Sequence, residues 1–256
     1  MITLYHGLAS TCSKKVRMCL AEKELEWDSR LVNLQKFEQH DPEYLKLNPN
    51  GVVPTLVHDG RPVTESTVII EYIDDTFPDR PLKPEDTYAR AQMRLWEKWS
   101  DDVGYAAVYV PTWDKLSRPA AEKLSDDELE FMVARIPTPE RRARWRQVGR
   151  GSFSQAEMDS AYEKMTRTFD RLEVCLAEAD WLAGDAFSLA DIAMAPFVER
   201  IMDLRSEHVS AKSYPAVYEW FNRLRQRPSF ETTFFFGGED ARTGAVVSSL
   251  EAQGVI

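Results

Sequence analysis

Val52-Val53-Pro54-Thr55-Leu56-Val57-His58-Asp59-Gly60-Arg61-Pro62-Val63-Thr64-Glu65-Ser66-Thr67-Val68-Ile69-Ile70-Glu71-Tyr72 is the stretch on which the fold turns. Two short apolar runs, Pro54 to Val57 and Arg61 to Val63, flank Asp59-Gly60, a pair that tolerates positive φ and suits a tight turn. A β-hairpin is predicted. Thr64-Glu65-Ser66 then offers hydroxyls and a carboxylate as helix caps, and Val68, Ile69, Tyr72 and Ile73 follow at helical spacing. The N–H groups at that helix start would attract a carboxylate. Pro54 cannot donate to a ladder, so it belongs at an edge, a first position or a bend. An ordinary trans proline opening the strand meets that condition. So does a cis proline that leaves the Val53 N–H and C=O facing outward to pair with an extended peptide.

Working outward, Ile2 to Tyr5 reads as a strand, about Cys12 to Lys23 as a helix after the loop His6 to Ser10, and Trp27 to Val32 as a second strand. The order strand, helix, strand, helix, hairpin, helix over residues 1–78 predicts a small α/β domain with a parallel pair and an antiparallel hairpin. Pro78, Pro81 and Pro84 break the pattern, and residues 79–86 read as a linker. Residues 87–256 show no strand pattern and are expected to be all-helical. Ala89 to about Lys115 places Met93, Trp96, Trp99, Val103 and Ala107 along one side of a helix. Residues 117–155, charged and broken by Ile136-Pro137-Thr138-Pro139, read as an insertion. Met158, Tyr162, Met165, Phe169, Leu172 and Leu176 alternate steps of four and three, an amphipathic core helix. Ser188-Leu189-Ala190-Asp191 forms a capping box, which gives Asp191 a folding role rather than a catalytic one. Residues 237–256 read as a mobile tail.

With 256 residues and 43% apolar content, the chain can build one large core or two modest ones. It has no apolar run of membrane-spanning length, and Met1-Ile2-Thr3-Leu4-Tyr5 lacks a secretory pattern, so a cytoplasmic protein is expected. A net charge of −10 argues against a nucleic-acid partner. The local run of Arg141, Arg142, Arg144, Arg146 and Arg150 reads as a solvated face. Cys12, Cys19 and Cys175 show no paired spacing and the four histidines are scattered, so neither a disulfide framework nor a metal site is expected.

With Asn48-Pro49-Asn50-Gly51 before it, the hairpin segment resembles the glutathione-binding half of glutathione transferases. The likeness extends to the Ser188–Asp191 box, to Tyr214-Pro215-Ala216-Val217-Tyr218-Glu219-Trp220-Phe221 and to Arg227-Pro228-Ser229-Phe230. It implies a thioredoxin-like domain followed by a helical bundle, a homodimer, and glutathione as co-substrate. It also implies that Pro54 is cis and that the Val53 backbone pairs with the cysteinyl part of glutathione. Glu65 and Ser66 would hold the γ-glutamyl end, and Gln39 and His40 the glycine carboxylate. A free thiol with a pKa of about 8.5 is mostly protonated at neutral pH, and a hydroxyl at a helix N-terminus favours its anion. Ser10-Thr11-Cys12-Ser13-Lys14-Lys15-Val16-Arg17 resembles the zeta-class pattern, in which the serine seven positions before the arginine holds the sulfur; Ser10 stands there. Thr11 as a second hydroxyl and Cys12 as a nucleophile compete with it. Ser10 would also serve as a plain helix cap, and Cys12 as a small buried side chain.

For a second substrate, Tyr105, Tyr109 and Trp113 are expected to wall a pocket, joined by Phe234-Phe235-Phe236. Such walls suit a hydrophobic aromatic electrophile. Lys36-Phe37-Glu38-Gln39-His40, Arg94-Leu95-Trp96-Glu97-Lys98-Trp99 and Pro137-Thr138-Pro139-Glu140-Arg141-Arg142-Ala143-Arg144-Trp145-Arg146 are similar to bacterial glutathione-dependent β-etherases of lignin breakdown. In those enzymes a glutathione thiolate attacks the ether-bearing carbon and expels a phenolate. The zeta-like loop at Ser10 keeps an isomerase or a dehalogenating transferase as alternatives. A non-catalytic glutathione-binding module is the rival from another class; the joint presence of Ser10, Val53-Pro54, Glu65 and Ser66 argues against it.

Overall fold

Alternating burial along Ile2–His6 makes it the central strand, β1. It pairs in parallel with β2 (Asp28–Leu31), reached through helix α1 (Thr11–Glu22), and antiparallel with β3 (Thr55–His58). A turn carries β3 into β4 (Arg61–Val63), and the sheet order is β2-β1-β3-β4. Asp59 and Gly60 lie at φ 49° and 77°, the paired positive values this turn needs. Leu4 stands opposite both Ser29 and Leu56, and Leu4 and Leu56 are fully buried. The Val53-Pro54 peptide is cis, and Pro54 stops one residue short of β3, where a missing N–H breaks no ladder bond. Helices α2 (Pro42–Leu47) and α3 (Ser66–Thr76) complete this α/β half. The expected side-chain caps of α3 do not form. Glu65 takes the cap position at φ 67°, and no side chain there accepts from the first turn.

The computed structural model describes residues 1–242 together with Ala245 and Ala252. Most of the predicted tail therefore lies outside the described residues. Its first residues are packed: Ala241 is buried and its N–H donates to the Phe234 carbonyl at 2.8 Å.

The expected helix from Ala89 to Lys115 is α4 (Thr87–Trp99) and α5 (Tyr105–Thr112), joined by a π-helical turn at Ser100–Gly104. A second such turn, Trp113–Ser117, leads into α6 (Arg118–Glu122). The first turn has a visible job. Lys15, buried on α1, is held by Ser100 Oγ at 2.8 Å, Asp101 Oδ1 at 2.9 Å and Thr67 Oγ1 at 3.2 Å, which ties α1, α3 and the turn together.

Residues 117–155, read from the sequence as an insertion, are mostly helical. After α6 come α7 (Asp126–Ala134), opened by a Ser125/Glu128 capping box, and α8 (Pro139–Arg150), opened by a proline. Ala121, Leu129, Val133, Ile136 and Trp145 form a small core of their own, completed by Phe37 from the α/β half. Phe37 is 2% exposed, and its ring lies 4.6 Å from that of Trp145. Arg135 pairs with Asp41 at the head of α2 and fastens the same junction.

The long helix α9 (Gln155–Leu176) buries Met165, Phe169, Leu172 and Leu176 of its predicted stripe. Helices α10 (Leu189–Leu204), α11 (Pro215–Arg225) and α12 (Pro228–Phe234) follow. The Ser188/Asp191 capping box forms as expected at the start of α10, the most deeply buried helix. Lys14 on α1 and Glu199 on α10, both buried, meet at 2.7 Å and join the two halves. Among the described residues no helix is long and apolar enough to cross a membrane.

Candidate active site

The loop from His6 to Ser10 is held from behind. The buried Arg17 guanidinium donates to the carbonyls of Gly7 at 3.2 Å, Leu8 at 2.9 Å and Thr233 at 2.9 Å, bolting the loop between β1 and α12. Arg200 of α10 donates to the Ala9 carbonyl and to Thr112 Oγ1. Beside Arg17, burial pushes His6 down to about 3, so it stays neutral at physiological pH. Ser10 is thereby presented as the cap of α1. Its Oγ accepts the Ser13 N–H at 3.2 Å, which leaves its O–H as a donor.

A cavity of about 390 Å³ opens in front of this loop, a volume suited to small-molecule ligands. Ser10, Thr11, Cys12, Gln39, Gly51 and Val53 line one side; Tyr105, Tyr109, Trp113, Trp145 and Arg141 line the other. Among the described residues nothing hydrogen-bonds the N–H or C=O of Val53, while the preceding Val52 carbonyl accepts from Tyr44 and Asn48. Gln39 and His40, expected to contact the glycine carboxylate, are buried. The Gln39 Oε1 and His40 Nδ1 atoms lack hydrogen-bond partners. Burial, with Arg141 and Arg135 nearby, lowers His40 to about 4, so its ring is neutral. Gly51, at φ 61°, lies so close that a Cβ there would stand 2.6 Å from His40 Nδ1.

His40, Pro54, Glu65 and Ser66 stand outside the cavity wall. The start of α3, with its first-turn N–H groups uncapped by side chains, fits a carboxylate ligand. The uncapped turn and the open Val53 backbone suit an extended peptide that carries a carboxylate.

The aromatic side is continuous. Ring centroids run Tyr105 to Tyr109 at 5.5 Å, Tyr109 to Trp113 at 4.9 Å, Trp113 to Trp145 at 4.9 Å and Trp145 to Phe37 at 4.6 Å. Burial raises the Tyr105 hydroxyl and takes that of Tyr109 to about 12, so both remain protonated. Phe234, Phe235 and Phe236 do not join this wall. Phe234 is fully buried, and Phe236 stacks on Trp27 at 5.6 Å and meets His6 edge-on at 4.9 Å, beside Arg17 of α1. Sequence reasoning missed Trp145, Arg141, Arg200 and Lys123, which also line the cavity. A tryptophan flanked by arginines was the one available signal for the first two.

Family models for the glutathione S-transferase N-terminal and C-terminal domains match residues 9–76 and 124–228. Protein LigF of Sphingobium sp. strain SYK-6 is 37% identical over 91% of this chain and 93% of its own length. The crystal structure of β-etherase LigF from that strain superposes with a TM-score of 0.83 at 35% identity, covering 91% of this chain and 98% of that one. Glutathione S-transferase GstB of Escherichia coli strain K12 is 26% identical over 90% of this chain and 95% of its own. The chain is thus a glutathione transferase with glutathione as co-substrate, a member of the glutathione S-transferase family.

Proposed function

We propose that the protein cleaves aryl β-ethers with glutathione, releasing a phenol and a glutathione thioether. The observation that carries this reading is the unbroken aromatic wall facing Ser10, Thr11 and Val53 across one cavity. Such a wall receives an aryl ether by stacking and brings its reacting carbon before the sulfur. The likeness to β-etherase LigF supports it. Ser10 donates its O–H to the sulfur and, with the N-terminus of α1 and Thr11, keeps it anionic. Val53 pairs with the cysteinyl backbone, beside Pro54. Ser66 and the α3 N–H groups take the γ-glutamyl carboxylate, Glu65 its ammonium, and Gln39 and His40 the glycine end. Three free thiols and a glutathione requirement support a cytoplasmic setting. Val68, Tyr88 and Leu95 are exposed apolar side chains on α3 and α4 and supply a surface for a homodimer.

The test is mass analysis of purified enzyme incubated with glutathione and a guaiacyl β-ether dimer. Guaiacol and a glutathione adduct are expected in equal amounts. Conjugation of a generic electrophile without phenol release would replace the etherase reading by that of another transferase, and binding without any turnover would favour the module. A second expected result concerns the sulfur. Ser10→Ala should lower kcat/KM about 10- to 100-fold, the worth of one hydrogen bond to a charged group. The ultraviolet absorbance of the bound thiolate should shift to higher pH in step. An unchanged titration would move the role to Thr11 or to the helix end alone.

A further inference from the structure

Helix α8 carries five arginines, and four are engaged. Arg142 donates to the Ile136 carbonyl at 2.9 Å, Arg144 pairs with Glu157 at 2.6 Å, Arg146 with Glu130 at 2.9 Å, and Arg150 with Asp126 at 2.6 Å. Arg141 differs. Among the described residues no carboxylate pairs with it. Arg141 lines the cavity, and its Nη2 lies 3.5 Å from the hydroxyl of Tyr105, another lining residue, a long contact that leaves most of its five N–H donors unused. Tyr105 is the first ring of the aromatic wall, so this cation stands on the side of the second substrate.

We propose that Arg141 and Tyr105 together bind the phenolate oxygen expelled from the ether, making Arg141 a leaving-group and specificity residue. The inference rests on the etherase reading. As the C–S bond forms, the C–O bond breaks and its electron pair goes to the phenolic oxygen. The negative charge passes from sulfur to oxygen, and no oxidant or reductant takes part. The oxygen accepts one N–H from the guanidinium fork and the O–H of Tyr105, and takes its proton from water after release. A fixed cation and a protonated phenol aimed at an oxygen that becomes charged only as the bond breaks stabilise the transition state more than the ground state.

Two readouts test this with wild type, Arg141→Met, Arg141→Lys and Tyr105→Phe. The first is absorbance titration of 4-nitrophenol added to enzyme saturated with S-methylglutathione. In wild type the bound phenol should ionise about one pH unit lower than in Arg141→Met, with Arg141→Lys between them. The second is kcat/KM over guaiacyl ethers whose leaving phenols span a range of acidity. Arg141→Met should lose about 10- to 100-fold on the least acidic phenol and little on the most acidic. An equal loss across the series with no change in nitrophenol titration overturns the proposal. So does a loss confined to glutathione affinity, which would assign the cation to the tripeptide's carboxylate. A wild type that cleaves no ether yet shifts nitrophenol overturns the etherase reading and leaves the phenolate site standing.

Discussion

Replacing Asp191 by alanine should destabilise the protein by about 3–5 kcal/mol and lower its melting temperature by roughly 10 °C. The carboxylate is fully buried and serves four donors. Oδ1 accepts from Leu182 N–H at 3.1 Å and Trp220 Nε1–H at 2.8 Å; Oδ2 accepts from Ser188 N–H at 2.9 Å and Ser188 Oγ–H at 3.2 Å. Burial pushes Asp191 up to about 6, with these bonds opposing the rise, so at neutral pH it is an anion held by its donors. Alanine would orphan three buried N–H groups at once. Ser188→Ala removes only the hydroxyl cap and should cost about 1 kcal/mol. Thermal melts of the two variants decide the point: equal losses would mean that the carboxylate is no more than a cap. The effect should reach the active site, because α10, which Asp191 starts, carries the Arg200 that holds the Ala9 carbonyl.

The second large effect depends on pH. Glu97, on α4, is 2% exposed, and neither carboxylate oxygen has a hydrogen-bond partner. Burial, and then the neighbouring Glu71, raise it from its ordinary 4.5 to about 8, against the pull of Lys15, Lys83 and Arg94. Between those two values the folded protein holds a proton that the unfolded chain has lost. This group's stabilisation is therefore complete below pH 4.5, declines as pH rises and is gone above about 8. Glu97→Gln keeps the shape without the charge. From pH 6 to pH 9 the wild type should lose about 2–3 kcal/mol relative to the variant, read from urea unfolding. Parallel curves would mean that the carboxyl finds water or a partner when ionised.

What the sequence disclosed and what it hid divide along physical lines. The Asp59-Gly60 turn and the Ser188–Asp191 box were legible because each is decided within a few residues, by backbone torsion or by a side chain reaching its own helix start. Tyr105, Tyr109 and Trp113 were legible as a group because helical spacing stacks them on one face. The packing of residues 117–155 was not: their core needs Phe37, about a hundred residues away, and no local pattern announces that ring. Arg141 was hidden for another reason. Four of its neighbours have the same composition and find carboxylate or carbonyl partners, so only the packing of α8 against α5 tells it apart. Phe234 to Phe236 were misplaced because an aromatic run does not reveal which wall it closes.

The ring of Phe37 sits two residues from Gln39 and is embedded among Ala121, Leu129, Val133, Ile136 and Trp145. It works as a shared pin between the segment that carries Gln39 and the helices of residues 117–155. Removing that ring would open the small core and loosen Trp145. A change on one side of the cavity is thereby felt on the other, because Gln39 and Trp145 both line it and one ring is packed against the second of them two residues from the first.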